Sequence, residues 1–332
     1  MSMCLLASCD SGSLGDPPSD PGAAAEETFI YLTVYFGLNE ARLAEAPLEN
    51  PADVRYITDA GRNIIRPKVS PDGSWLLATI GTAHGGAFLV PTSGATEFIE
   101  LTGATDPYMS FWAGSGEIFQ SFLGGGIASC CRRFSHLNVA SNRTSGTVDN
   151  YNLFGRTGDS LVVLGNDHGS GDRQFYFMNS DGSWKEKWAN PALEENNAAL
   201  NPLRFISGDY TSDQRQVAVQ YRIASGSPQN ADGNHIGVAQ SNGRSLSTIS
   251  TTGRASHPVW GPGSSVLWTV SHENQTGLPE KSIRIWQDGR VSTLLGPEQI
   301  PDAVGVEIGS VRTATVVAAV NQFGNSTVYP VQ

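Results

Sequence analysis

The sequence predicts an all-β protein built from a repeated four-stranded unit, and three observations predict it. Charged residues are only 16 % of the chain while glycine contributes 37 of 332 residues, a composition of many tight turns and little solvated helix. Short runs rich in β-branched and aromatic residues alternate with Gly, Pro, Asn and Asp clusters. A turn-then-strand motif recurs along the chain with a spacing of 42 to 56 residues, the period of a β-propeller blade. Together these give a six-bladed β-propeller of four-stranded blades. Helical solenoids of similar period need sustained 3.6-residue apolar patterning, and none longer than two turns occurs outside residues 39–46 and 192–200.

The motif is clearest at 66–78, RPKVSPDGSWLLA, where Ser70-Pro71-Asp72-Gly73 signals a turn before an apolar strand. HPVWGPGSSVLWT at 257–269 repeats the order. Weaker copies are FWAGSGEIFQSF (111–122), LFGRTGDSLVVL (153–164), DYTSDQRQVAVQY (209–221) and VEIGSVRTATVVAAV (306–320). Taking Asp72, Ser115, Thr157, Asp213, Pro262 and Ser310 as equivalent turn positions gives six units. In the first unit the strands fall at Ile64–Val69, Trp75–Ile80, Ala87–Pro91 and Glu97–Leu101. In the fifth they fall at Val259–Trp260, Val266–Val270, Ser282–Gln287 and Val291–Leu295. The sixth unit has room for three strands, Gly305–Ile308, Ala314–Val320 and Thr327–Val331. The N-terminal strand Thr28–Phe36 (TFIYLTVYF) supplies the fourth, so that both ends of the chain complete one blade and no blade edge is left open. Trp75, Trp112, Trp260 and Trp268 fall on or beside the first two strands of their units and are expected to pack between blades.

The SPDG-type repeat resembles the TolB-like (PD40) β-propeller family over residues 28–332, with VSPDGSWLLAT closest to the family's motif. The separate helical domain that TolB carries before its propeller has no counterpart in this sequence. The resemblance implies a propeller that binds other proteins in the bacterial envelope.

The N-terminal segment agrees with such a location. Leu6-Ala7-Ser8-Cys9 resembles a bacterial lipobox, which makes residues 1–9 the remnant of a signal peptide and Cys9 the lipidated residue. Residues 10–27 are rich in Gly, Pro, Ser and Asp and read as a disordered tether. The membrane is then met through the lipid anchor only, with the body periplasmic or surface-exposed. Adjacent Cys130 and Cys131 fit either a vicinal disulfide or two free thiols. The formal net charge of −11 excludes a nucleic-acid binder, which needs a basic footprint.

In a propeller, the start of each inner strand and the loop between its second and third strands share one face, at the channel mouth. That face collects Arg66, His84, Asp106, Tyr108, Arg132, Arg133, Arg204, His257 and His272 as binding candidates, with Asn150, Asp232 and His235 beside them. The loop at 165–172, GNDHGSGD, offers Asp167, His168 and Asp172 as ligands for Ca²⁺, though its spacing matches no EF-hand. Catalytic motifs are missing: the sequence holds no GxSxG, HExxH or Walker A pattern. The expectation is a non-enzymatic envelope lipoprotein whose propeller is a protein-binding platform, with another envelope protein as partner. The alternative is a propeller that binds or processes a small ligand or glycan at the same face, as a metal-dependent lyase or hydrolase; it requires His84, His168, His257 and His272 to converge.

Overall fold

A computed structural model describes residues 25–37, 39–61, 63–80, 86–94, 98–101, 111–114, 116–123, 132–139, 143–149, 152–157, 160–166, 173–179, 183–187, 203–223, 233–273, 279–320 and 326–330. The fold is all-β and of propeller type. Four sheets have four strands each, in chain order. They are β4 to β7 (Ile64–Val69, Trp75–Ile80, Ala87–Pro91, Ile99–Glu100), β8 to β11 (Phe111–Gly114, Glu117–Leu123, Arg132–Asn138, Arg143–Asp149), β12 to β15 (Asn152–Thr157, Ser160–Asn166, Arg173–Met178, Trp184–Lys187) and β16 to β19 (Leu203–Tyr210, Gln216–Ile223, Asn234–Gln240, Ser247–Gly253). A nine-stranded sheet holds the rest: β20 to β23 (Ala255–Trp260, Val266–Glu273, Pro279–Gln287, Arg290–Leu295), β24 (Gly305–Val320), β25 (Ser326–Pro330) and β1 to β3 (Ala25–Tyr35, Ala41–Pro47, Arg55–Tyr56).

That large sheet contains two four-stranded groups. β20-β21-β22-β23 is one; β24-β1-β2-β3 is the other, joined to it by the single parallel pair Lys281↔Gly305. The N-terminal strand does pair with the C-terminal one, but the division of labour differs from the expected three-plus-one. One C-terminal strand is innermost and three N-terminal strands complete the blade. Residues 39–46, a helix candidate by periodicity, lie mostly in β2, paired in register with β1 from Tyr35↔Ala41 to Phe29↔Pro47. Backbone pairing on both edges decides for strand here, since β2 sits between β1 and β3. Ser310 is not a turn residue either: it lies within β24, and Gly309 beside it serves a close approach. A Cβ on Gly309 would stand 2.2 Å from the Pro67 carbonyl oxygen.

Contacts divide the chain into two units. The smaller comprises Met1–Glu27 and Ala314–Val331; its described part includes the hairpin of β24 with β25, in register from Val316↔Pro330 to Val320↔Ser326. The larger comprises Thr28–Thr313 with Gln332. Within it, β1 shows how the blades stack. Its side chains alternate, as a strand's must. Ile30, Leu32 and Val34 pack with Leu267, Ile283 and Leu295 of the β20–β23 group. Tyr31, on the opposite face, packs with Ile64, Leu76 and Val90 of the β4–β7 sheet. A strand buried on both faces reads as the near-continuous apolar run TFIYLTVYF.

The other described interfaces repeat this logic. Leu77 and Leu89 meet Ile118 and Trp112, Val162 and Phe177 meet Val217 and Tyr221, and Ala218 and Ile236 meet Val266 and Trp268. Two tryptophans also latch neighbouring sheets: Trp112 Nε1 donates to the Lys68 carbonyl at 2.7 Å, and Trp260 Nε1 to the Asp209 carbonyl at 2.8 Å.

The repeated turn is equally regular. Ser70 Oγ donates to Asp72 Oδ1 (2.5 Å) and accepts from the Trp75 amide (3.0 Å). Thr211 Oγ1 donates to Asp213 Oδ1 (2.6 Å) and accepts from the Gln216 amide (3.1 Å). Gly73 occupies the left-handed position of the first turn (φ 77°), and Gln214 that of the second (φ 58°).

Candidate functional site

The site grows out of two inner-strand bulges. Arg66 in β4 and His257 in β20 each precede a proline and each has positive φ, 59° and 53°. Among the described residues they are the two non-glycine residues with positive φ that lie inside strands. Proline supplies no amide to the ladder, and both strands lose register here, between Ile65 and Lys68 and between Ser256 and Val259. Each displaced amide is caught by a side chain from the adjacent blade's second strand. Arg66 N donates to Thr33 Oγ1 at 2.8 Å, and His257 N to Gln220 Oε1 at 3.4 Å.

The bulges aim both side chains at Glu307, an acidic residue set in the apolar inner strand β24 with its side chain 1 % exposed. Oε1 accepts from Arg66 Nε at 3.0 Å and lies 3.0 Å from His257 Nδ1. Oε2 accepts from the Tyr35 hydroxyl and from Lys281 Nζ, each at 2.6 Å. Lys281 Nζ also donates to Tyr35 Oη at 3.2 Å and sits 4.3 Å from the centre of the Tyr35 ring. Five strands, β1, β4, β20, β22 and β24, therefore meet at one carboxylate.

Burial alone would push Glu307 up, but His257, Arg66 and Lys281 hold it well below the ordinary carboxylate range. Burial lowers His257 from its ordinary value, against the pull of Glu307, so the imidazole is neutral at pH 7. Burial and then the Glu307 charge push the Tyr35 phenol well above its ordinary value. Both oxygens are held by donors from other strands, and a carboxylate kept this far below its ordinary range is a weak base for a substrate proton. Chemically the cluster is a strut, with the two cations Arg66 and Lys281 against one anion.

Further along the inner strands, Lys68 and Asp209 feel each other's charge. Burial lowers Lys68 while Asp209 opposes it; burial raises Asp209 against the Trp260 amide, which donates to Oδ2 at 2.9 Å, and against Lys68.

The remaining sequence candidates distribute as follows. His272 is exposed at the far end of β21, opposite Glu280. Arg132 and Arg133 open β10, inside a strand rather than in a loop, and Arg204 is the second residue of β16. His235 also lies in a strand, β18, buried with its ring 5.4 Å from that of Tyr221. Cys9, His84, Asp106, Tyr108, Cys130, Cys131, Asn150, Asp167, His168, Asp172, Asp232 and the segment 192–200 lie outside the described residues. Among the described residues no three of His, Cys, Asp and Glu stand close enough to hold a metal ion. Glu307, Lys281 and Tyr35 went unnoticed in the sequence. The available signal was a lone carboxylate inside the apolar strand Val306-Glu307-Ile308.

The fold defines a class, the all-β propeller. Within it the chain has the TolB-like form: the structure of TolB from Acinetobacter baumannii superposes with a TM-score of 0.57 at 14 % identity, covering 86 % of this chain and 65 % of that one. This chain thus spans slightly under two thirds of the TolB chain. The β-propeller domain of the Trilobed protease from Pyrococcus furiosus is also similar (TM-score 0.47, 15 % identity, 83 % and 82 % covered). So is a Mycobacterium tuberculosis puromycin-hydrolyzing peptidase (TM-score 0.46, 13 % identity, 91 % and 49 % covered). No protein-family model and no curated protein sequence matches the chain.

Proposed function

We propose that the protein is a non-enzymatic bacterial envelope lipoprotein whose propeller is a rigid protein-binding platform. Lipidation at Cys9 holds it to the membrane, and the partner is another envelope protein received on the face around Arg66 and His257. The observation that carries this reading is the buried Glu307 carboxylate, both of whose oxygens are held by groups from other strands. A buried charged group that accepts from three strands and touches a fourth, and is held well below its ordinary range, favours a stiff scaffold over an acid–base centre. Stiffness suits a platform, because a preorganised surface loses less entropy on binding.

A photo-reactive residue replacing exposed His272 is expected to give one discrete adduct with an envelope protein in cells. No adduct in the membrane fraction overturns the platform. Replacing Cys9 with serine is expected to release the protein from membranes; retention overturns the anchor. Ligand processing by a metal enzyme makes the opposite prediction for elemental mass spectrometry on protein purified without chelator. Stoichiometric zinc, manganese or iron would replace the platform reading with that one.

A further inference from the structure

A cleft of about 660 Å³ is lined by none of the Glu307 cluster's residues and lies on the outer part of the β24-β1-β2-β3 group. Phe36, Glu40, Arg42, Asp53, Tyr56 and Asp302 line it. Its floor is a stack: the Arg42 guanidinium carbon sits 4.5 Å from the centre of the Phe36 ring and 5.4 Å from that of Tyr56. The two rings are 6.0 Å apart and tilted by 53°. Arg42 Nη2 donates to Glu40 at 3.3 Å, so that cation is matched by one carboxylate. Asp53 and Asp302 are both exposed, and neither has an ion-pair partner among the described residues. Tyr56 is 37 % exposed, large for an aromatic side chain beside a cleft. Burial pushes its phenol above the ordinary value, with Arg42 opposing and Asp302 adding, so the Asp302 charge reaches this ring.

We infer that this cleft docks an arginine-bearing segment of a partner protein. The inference deepens the platform reading and rests on it. The charge balance decides the sign of the occupant. Three carboxylates against one already paired cation leave the cleft anionic, in a chain of net charge −11. The spacing of the acids decides its type. They are not gathered as ligands for a metal ion, but share the cleft with two aromatic rings, as suits a guanidinium that stacks on an aromatic while bonding a carboxylate at its edge. Arg42 already shows that binding mode within the chain.

The test is titration of a capped tetra-arginine peptide at low ionic strength, followed by Tyr and Trp fluorescence. The neutral tetra-citrulline peptide and spermine are the comparison ligands. One-to-one binding of the arginine peptide alone is expected. The double variant Asp53→Asn/Asp302→Asn should weaken it about tenfold, and Tyr56→Leu several-fold, while Asp288→Asn on a distant turn leaves it unchanged. All these positions are exposed, and circular dichroism is the check that each variant folds. Equal binding to the double variant and to wild type would show diffuse attraction to an acidic chain and overturn the proposal. So would equal binding of citrulline or spermine, or no binding of the arginine peptide. Crosslinking at His272 reads the platform separately, so a failed titration removes the cleft and leaves the platform standing.

Discussion

Glu307 carries more consequences than any other residue. Replacing it with glutamine leaves Arg66 and Lys281 buried without their counter-charge, and a loss of about 3–5 kcal/mol is expected in denaturant unfolding. The cluster also sets the pH dependence. Both Glu307 and His257 have native values below their unfolded ones. Each therefore contributes stability that is complete above its unfolded value and is lost on acidification, as the unfolded chain takes the proton more readily. Unfolding midpoints measured against pH should fall first below the ordinary histidine value, near 6.5, and again through the ordinary carboxylate range. His257→Asn should remove the upper step and Glu307→Gln should flatten the lower one. At the second repeated turn, Gln214 holds the left-handed conformation that Gly73 holds in the first. Gln214→Gly relieves about 1–2 kcal/mol of backbone strain at some cost in unfolded-state entropy, so a net gain of about 0.5–1 kcal/mol in unfolding free energy is expected.

At the scale of the element, the close passage of β24 over β4 makes the sharpest prediction. Gly309→Ala places a methyl group against Pro67, whose carbonyl also accepts from Ser310 Oγ at 3.0 Å. A loss of about 1–3 kcal/mol in thermal or denaturant unfolding is expected from such overpacking. The same strands show what the sequence could and could not disclose. Ile64–Val69, Trp75–Ile80 and Ala87–Pro91 were legible to the residue, because a turn with side-chain caps and an apolar run bound each strand locally. Residues 41–47 were not, because Ala, Leu and Glu at those spacings satisfy helix and strand alike until β1 provides a pairing edge. Arg66 and His257 could be singled out because each stands at the start of an inner strand of its unit, on the channel-mouth face. Glu307 stood out only as a lone carboxylate in an apolar run, and its partners Lys281 and Tyr35 did not, because they come from segments up to 272 residues apart that only the assembled sheet brings together.

For the molecule as a whole, the blade that joins β24 to β1, β2 and β3 fixes an order of events. The side chains of Thr28 and Thr313 bond at 2.9 Å, and the Val304 amide donates to the Tyr35 carbonyl at 2.8 Å. Both contacts span nearly the length of the propeller sequence. During synthesis the outer three strands of this blade appear first and must wait, with the apolar edge of β1 uncovered, until Gly305–Thr313 has been made. Non-local pairings of this kind slow folding and prolong the exposure of unpaired edges. A blade that stays open until β24 is made also leaves the Glu307 strut to be fastened late, since its carboxylate arrives only on that strand.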